Sequence, residues 1–256
     1  MPNRGETTKV PAARMDPRAL AEARNTPDAK PRRRSTGGRT SQPQRAYERL
    51  RQMILDNELQ AGAYVLQEEL GAMLGVSRTP IREALIRLEQ EGLVEIRPRH
   101  GMRVLPISIE AMREIYEVLT ALEALAARIV AKNGLVRHQL AAMEQAVADM
   151  ETALKANDLD GWASADQRFH ALLVGYSGNS RLIAMVETVI DQSYRVRRLT
   201  LRLRPKPVAS NSDHRALVEA IRARDSERAY HVHEQHRRKS GEMLVELLKK
   251  LEIKTF

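Results

Sequence analysis

Asp166 and His170 stand four residues apart in the string ADQRFH, so on a helix their carboxylate and imidazole share one face, one turn from each other. Two further histidines join them once a turn is located. Asp225-Ser226 reads as a helix-capping break, and His214 and His236 lie 11 residues before and 11 after Asp225. If the flanking helices pair as a hairpin, both imidazoles reach the same level, roughly 16 Å from the turn at about 1.5 Å per residue. One carboxylate and three ring nitrogens then converge, a donor set that suits zinc first, and also nickel, manganese or iron. His233, one turn before His236, can replace it in the set, whereas His231 and His138 read as solvent-facing residues. No general base stands at a fixed spacing from these groups, so a metal-dependent hydrolase is the weakest of the available readings.

A second chemistry is carried by guanidinium groups. Ile81, Ala84, Leu85 and Leu88 recur at helical spacing and form one apolar face, while Arg78, Thr79, Arg82 and Glu83 fall on the other side of the opening turns. Arginines at the N-terminal end of a helix suit the DNA major groove, because each can bond guanine O6 and N7 as a bidentate pair and the helix terminus itself favours phosphate.

The elements that must position these groups follow from local pattern. Leu70 and Leu74 lie one turn apart in a short helix that Gly75 ends. Ser77 and Thr79 are candidate caps of the next helix, and Pro80 is tolerable only in its first turn. Gly92 closes that helix. Val94 and Ile96 then alternate with Glu95 and Arg97, and Met102 and Val104 with Arg103, around a turn at Pro98 to Gly101. This is a helix-turn-helix followed by a wing, with Arg97, Arg99, His100 and Arg103 placed to touch backbone or minor groove. Ala46 to Leu55 is an amphipathic helix expected to pack behind the arginine-tipped one. Pro106 and Ser108 mark a boundary, and six helical segments follow, at about 109–132, 136–156, 160–175, 180–203, 211–223 and 226–250. Short connections between them favour an antiparallel bundle. The fold class expected is therefore mainly α: residues 1–44 a disordered basic tail, 45–105 a winged helix-turn-helix, and 106–256 an all-helical domain.

Charge and composition narrow the classes further. The chain of 256 residues carries a formal net charge of +9, which suggests a polyanionic partner. The excess sits in residues 1–45, with eleven Lys or Arg against four acids, whereas residues 46–106 hold eight against nine. Contacts of the winged domain with DNA are thus expected from a few placed arginines. The tail, with six of the eleven prolines and no aromatic residue, reads either as an arm adding salt-sensitive phosphate contacts or as a solvated extension. With no cysteine, disulfides and thiolate chemistry are excluded. No apolar run approaches the roughly 18 residues of a membrane span and no secretory leader is recognisable, so no membrane partner is expected and a cytoplasmic location is.

Residue identity adds to these patterns. The string LGVSRTPIREALIRLEQEGLVEIRPRHGMRV closely resembles the DNA-binding domain of GntR-family bacterial transcription regulators, over about sixty residues from Ala46 to Leu105. That resemblance implies Arg78, Thr79, Arg82, His100 and Gly101 as DNA contacts, with Arg99 beside them on the wing; Glu68 stands where some relatives carry a basic residue. The strings DQRFHALLVGYSGNSRL and DHRALVEAIRARDSERAYHVHEQH look like the FadR C-terminal, or FCD, effector domain, over about 130 residues. In many members the Asp and His of D-x-x-x-H and two later His hold a divalent metal, which here implies Asp166, His170, His214 and His236. Members that bind carboxylate metabolites often carry an Arg in a Tyr-Glu-Val-Arg context, where this chain has Tyr116-Glu117-Val118-Leu119. The departure at Leu119 implies a less acidic effector, or one held by Arg195, Arg197 or Arg198, or by the metal. The expectation is a regulator, acting as a repressor, that binds a double-stranded operator as a homodimer under control of a small metabolite. An architectural DNA-binding protein whose helical half only dimerises is the alternative.

Overall fold

The computed structural model describes residues 41–97 and 101–251. Residues 1–40 of the expected tail and the wing residues Arg99 and His100 lie outside them. The winged domain begins with α1 (Gln42–Leu55), whose N-cap Ser41 accepts a bond from the Gln44 amide, with proline in the first turn. The helix therefore starts inside the stretch expected to be tail, because Ser41-Gln42-Pro43 is itself a helix-start signal. β1 (Tyr64–Val65), α2 (Gln67–Leu74), α3 (Arg78–Gln90), β2 (Val94–Arg97) and β3 (Gly101–Val104) complete the domain. Gly75 leaves α2 with φ of 65°, the left-handed exit that the sequence requires there.

The three strands are antiparallel in the order β1-β3-β2. Ile96 pairs with Met102 and Val94 with Val104 across the wing, and Val65 pairs with Met102 on the other side of β3. Sequence reading missed β1, since two residues are too few for an alternation to show. Leu50 and Ile54 from α1, Leu70 from α2, Ile81, Leu85 and Leu88 from α3, and Val94, Met102 and Val104 from the sheet bury one shared core. Each fully buried aliphatic side chain of this kind contributes about 1.5–3 kcal/mol.

The second domain is helical throughout: α4 (Ile109–Asn133), α5 (Arg137–Lys155), α6 (Leu159–Tyr176), α7 (Ser180–Leu199), a 3-10 turn at Leu201–Leu203, α8 (Val208–Arg222) and α9 (Ser226–Lys250). Its start is fixed by Ser108, whose hydroxyl accepts the Ala111 amide at 3.0 Å. α8 begins three residues before the expected position, and α7 stops at Leu199 rather than near 203. Asp225 caps α9 through the Arg228 amide at 3.0 Å, which places the α8–α9 turn where the histidine spacing demanded it. α4 packs on α9 and α7, and α5 on α6 and α8, around Met112, Leu119, Val130, Met150, Phe169 and Leu217.

α7 also forms the seam with the winged domain. Asp191 takes both Nε and a terminal nitrogen of Arg51 on α1. Gln192 donates to the Glu91 carbonyl at 3.0 Å, and Arg195 to the Leu105 carbonyl at 2.9 Å. Arg198 Nε lies 3.5 Å from Asp56. These positions fall at helical spacing along one side of α7.

Candidate metal centre and DNA-contact surface

Four buried side chains meet between α6, α8 and α9. Asp166 Oδ1 lies 3.6 Å from His170 Nε2 and 3.6 Å from His214 Nε2, and the two imidazole nitrogens are 3.4 Å apart. The ligand atoms of His170, His214 and His236 all fall within 4.8 Å of one another. Four donors each about 2.1 Å from a tetrahedral ion would be about 3.4 Å apart, so the spacing matches what a small divalent cation requires. The three histidines and Asp166 are the set read from the sequence. The structure brings all four together, with His236 rather than His233 in the third imidazole position.

The surrounding groups aim these donors inward. His170 Nδ1 sits 2.8 Å from Glu123 Oε2, and His236 Nδ1 3.4 Å from Asp213 Oδ2. A carboxylate on Nδ1 keeps the proton there and turns Nε2 into the cluster. Burial opposes charge on His170, but Glu123 and then Asp166 outweigh it and raise its pKa, so a cation at Nε2 would displace a proton. His214 packs tilted against Phe169 with ring centroids 4.4 Å apart, and its Nδ1 has no hydrogen-bond partner among the described residues. Asp166 gives its other oxygen to Arg197 of α7. Burial, then the neighbouring His236, holds His214 well below the ordinary imidazole value, and burial lowers His236 as well. Both are therefore neutral and able to donate at physiological pH. Burial opposes charge on Asp166 too, but Arg197, and then His170, outweigh it and keep the carboxyl well below its usual range.

Sequence reading missed Glu123. It is fully buried in α4 between His170, His233 Nε2 at 3.0 Å and an Arg237 nitrogen at 2.9 Å. Its signal was one acid on the apolar side of a helix, inside LTALEALAARIVA. Burial would raise its pKa, but Arg237, followed by His170, drives it well below the carboxylate range. Burial drops His233 to about 3, so it stands as a neutral partner of Glu123.

The residues suggested for an effector fall elsewhere. Leu119 is fully buried among core side chains. Arg195 and Arg198 turn to the winged domain, to Leu105 and Asp56, and Arg197 between them is the one that reaches Asp166. The rotation of α7 about its axis decides this, and three arginines within four residues leave that rotation open in sequence. Beside the cluster, Ala171, Val174, Val186 and Ile190 wall a cavity of about 20 Å³ that ends on His170 and Arg197, room for a single water.

At the other end of the molecule, Arg78, Thr79 and Arg82 lie exposed on the first turns of α3, with Pro80, Ile81 and Ala84 buried behind them. Ser77 occupies the N-cap without a side-chain bond, so the terminal amides of α3 are not capped by its hydroxyl. Arg78 pairs with Glu68 of α2 and keeps 73% of its side chain exposed. Gly101, expected at the DNA, is buried. Its φ is +77°, and a Cβ there would lie 2.2 Å from the Val65 carbonyl oxygen, so glycine is needed for β3 to lie against β1. Tyr64 of β1 carries Arg97 and Arg103 over its ring at 5.6 and 5.5 Å and is 54% exposed, a feature the sequence reading did not anticipate.

Comparison with known proteins agrees with both halves. Residues 42–104 match the family model described as bacterial regulatory proteins, gntR family, and residues 114–239 match the FCD domain. An HTH-type transcriptional regulator from the TAR-I ttuE-ttuC' intergenic region of Agrobacterium vitis is 41% identical over 142 residues, covering 55% of this chain and 81% of that protein. The HTH-type transcriptional repressor RspR of Escherichia coli K12 is 28% identical over 193 residues, covering 75% and 84%. Among solved structures, Escherichia coli McbR/YncC superposes with a TM-score of 0.70 at 20% identity, over 81% of this chain and 98% of that one, a likeness of fold.

Proposed function

The chain belongs to the GntR family of bacterial regulatory proteins, with an FCD domain as its second half, and from that membership as a DNA-binding transcriptional regulator rather than an enzyme we propose a metal-supported, metabolite-responsive repressor. In this reading Arg78, Thr79 and Arg82 meet base edges in the major groove, while the wing, with Arg99 and His100 between its two strands in sequence, lies along the backbone or minor groove. A homodimer is part of the reading, because one helix-turn-helix reads only a half-site. Named repressors among the relatives support the sign of regulation. The described residues contain no helix long and apolar enough to cross a membrane, in keeping with work in the cytoplasm.

Asp166, His170, His214 and His236 would hold a divalent ion, zinc first by donor type, with nickel, manganese or iron also compatible. Bound there, such an ion supplies a Lewis-acidic point to which an oxygen of a small effector can be drawn. The chain's own residues do the rest. Glu123 and Asp213 fix two of the rings, Arg197 orients Asp166, and α7 carries Arg197 on one side and Asp191 on the other.

That bridging position of α7 is the observation that carries the proposal: a helix bonded to the donor cluster is also bonded to α1 of the winged domain. Effector binding alters operator affinity only to the extent that it favours one placement of the winged domains over the other; a tenfold change needs about 1.4 kcal/mol of difference. His214→Ala tests it. Metal content by elemental analysis is expected to fall from about one equivalent to near zero, and metabolite control of operator binding to be lost, with metal-free DNA binding retained. Operator affinity that ignores chelator and every metabolite would leave the helical half as a dimerisation module.

A further inference from the structure

From Lys30 to Arg45 the chain carries six cations, Lys30, Arg32, Arg33, Arg34, Arg39 and Arg45, and no acid; the nearest acids on either side are Asp28 and Glu48. All but Arg45 stand before residue 42, where the match to the gntR family begins. The run has no aromatic and no large aliphatic residue, and Gly37 and Gly38 interrupt it. Nothing in the contacts assigned to α3 and the wing makes use of it.

The winged domain that follows is short of cations for a polyanion, with eight against nine acids over residues 46–106. Arg49, Arg51, Arg78 and Arg97 are each paired with a carboxylate, on Glu58, Asp191, Glu68 and Glu95. A protein that neutralises about six to ten phosphates needs more positive charge than that. The surplus stands just ahead of α1.

Its point of attachment makes the surplus usable. Ser41 caps α1, so the run leads directly into that helix. Gln44 in the first turn accepts a bond from Arg87 of α3 at 2.6 Å, and the Arg87 guanidinium lies 3.7 Å over the Tyr47 ring. The start of α1 is thus pinned beside the later turns of α3, with Arg45 and Arg87 both exposed. Arg78 at the tip of α3 is nine residues from Arg87, about 14 Å along the axis at about 1.5 Å per residue. A chain spans at most about 3.6 Å per residue, so Arg34 can stand up to about 25 Å from Ser41 and Lys30 up to about 40 Å. Both limits exceed the distance to the tip of α3, so the arginine triplet can meet the duplex beside the groove that α3 enters.

We infer that residues 30–39 are a DNA-binding arm that enters the minor groove flanking the α3 contact and favours A·T pairs there. The minor groove, about 6 Å wide, admits no helix but does admit an extended chain with small side chains between its arginines. A·T tracts narrow it further and deepen its negative potential, which draws guanidinium groups. The inference rests on the reading of the winged domain as a DNA binder, and is independent of metal and effector.

The test compares the full chain with Arg32→Gln/Arg33→Gln/Arg34→Gln, whose changes all precede the cap of α1. Two labelled duplexes of equal length are the probes, one of A·T pairs and one of alternating G·C pairs, titrated by fluorescence anisotropy over a range of salt. The full chain is expected to bind the A·T duplex several-fold more tightly, and netropsin, which fills the A·T minor groove, to remove the difference. The triple variant is expected to bind both duplexes equally, with the slope of log K against log salt reduced by about 2–3, since each neutralised phosphate contributes about 0.9. Arg78→Ala/Arg82→Ala keeps the A·T preference, because it touches α3 alone. A triple variant that matches the full chain in affinity and slope overturns the arm while leaving the winged domain as a DNA binder. A reduced slope without any A·T preference in the full chain overturns the minor-groove placement in favour of phosphate contacts. Loss of the preference in the α3 variant but not in the triple variant assigns it to the helix and overturns the arm. Failure of the full chain to bind either duplex at low salt overturns the arm and the DNA-binding reading together.

Discussion

Arg51 of α1 and Asp191 of α7 are joined at two points, Nε to one carboxylate oxygen and a terminal nitrogen to the other, across the seam between the winged and helical domains. The pair is mostly out of water, with side-chain exposures of 15% and 4%. Removing one partner of such a pair leaves a charge without compensation, which costs more than the pair contributes over apolar side chains of similar volume. Asp191→Ala is expected to lower unfolding free energy by about 3 kcal/mol, and Arg51→Met/Asp191→Leu by about 1 kcal/mol or less. Urea denaturation of the wild type and the two variants measures both. In the reading proposed above, the double variant also uncouples operator affinity from metabolite while leaving metabolite binding in place.

Arg78→Ala/Arg82→Ala is expected to erase the preference for operator over scrambled duplex. Each bidentate guanine contact contributes about 1–3 kcal/mol of discrimination, so specific affinity falls about a hundredfold or more while non-specific binding persists. Anisotropy titrations at fixed salt, with both duplexes, check it; an unchanged ratio would remove α3 as the reading element.

Glu68 pairs with Arg78 at the exposed start of α3, and in the reading proposed above it competes with DNA for that guanidinium. Both side chains are largely exposed, so Glu68→Gln changes stability by no more than about 0.5 kcal/mol. Operator binding is expected to tighten several-fold, because Arg78 no longer has to leave a partner. The same titration, with a melting curve alongside, separates the two effects.

Asp213→Asn takes the charge from the group behind His236. Loss of such a supporting carboxylate weakens metal affinity by about ten- to a hundredfold. Asp213 is only partly buried, so the fold is expected to hold. Competition against a chromophoric chelator gives the affinity, and an unaltered constant would show that His236 does not need this anchor. Glu123→Gln is a poorer probe, because it also strands the buried Arg237.

Gly101→Ala puts a methyl group against the Val65 carbonyl in a backbone region that alanine disfavours. A loss of about 2–4 kcal/mol from the winged domain is expected, with weaker operator binding and unchanged metal content. Thermal unfolding and elemental analysis distinguish this from a simple lost DNA contact, which would spare stability.

What the chain discloses in advance is whatever local periodicity decides. Asp166 and His170 share a face because they are four apart, and His214 and His236 meet because Asp225 fixes the turn midway between them. The apolar stripe of α3 likewise fixes which side its arginines occupy. Glu123 was not legible, since one acid in an apolar stretch does not say that two imidazoles and a guanidinium wait on other helices. The choice among Arg195, Arg197 and Arg198 was closed too, because it turns on how Asp191 and Gln192 dock on α1 and the Glu91 carbonyl, contacts made by residues far apart in sequence.

Arg195 has no exposed surface, satisfies one nitrogen on the Leu105 carbonyl, and leaves Nε and its other terminal nitrogen without acceptors. Were the two halves to part, water would flood in around this thirsty group, offsetting some of what is lost at Arg51. In the reading proposed above, the joint is thus a soft hinge rather than a weld, and an effector on the helical side has less to offset before the winged domain moves.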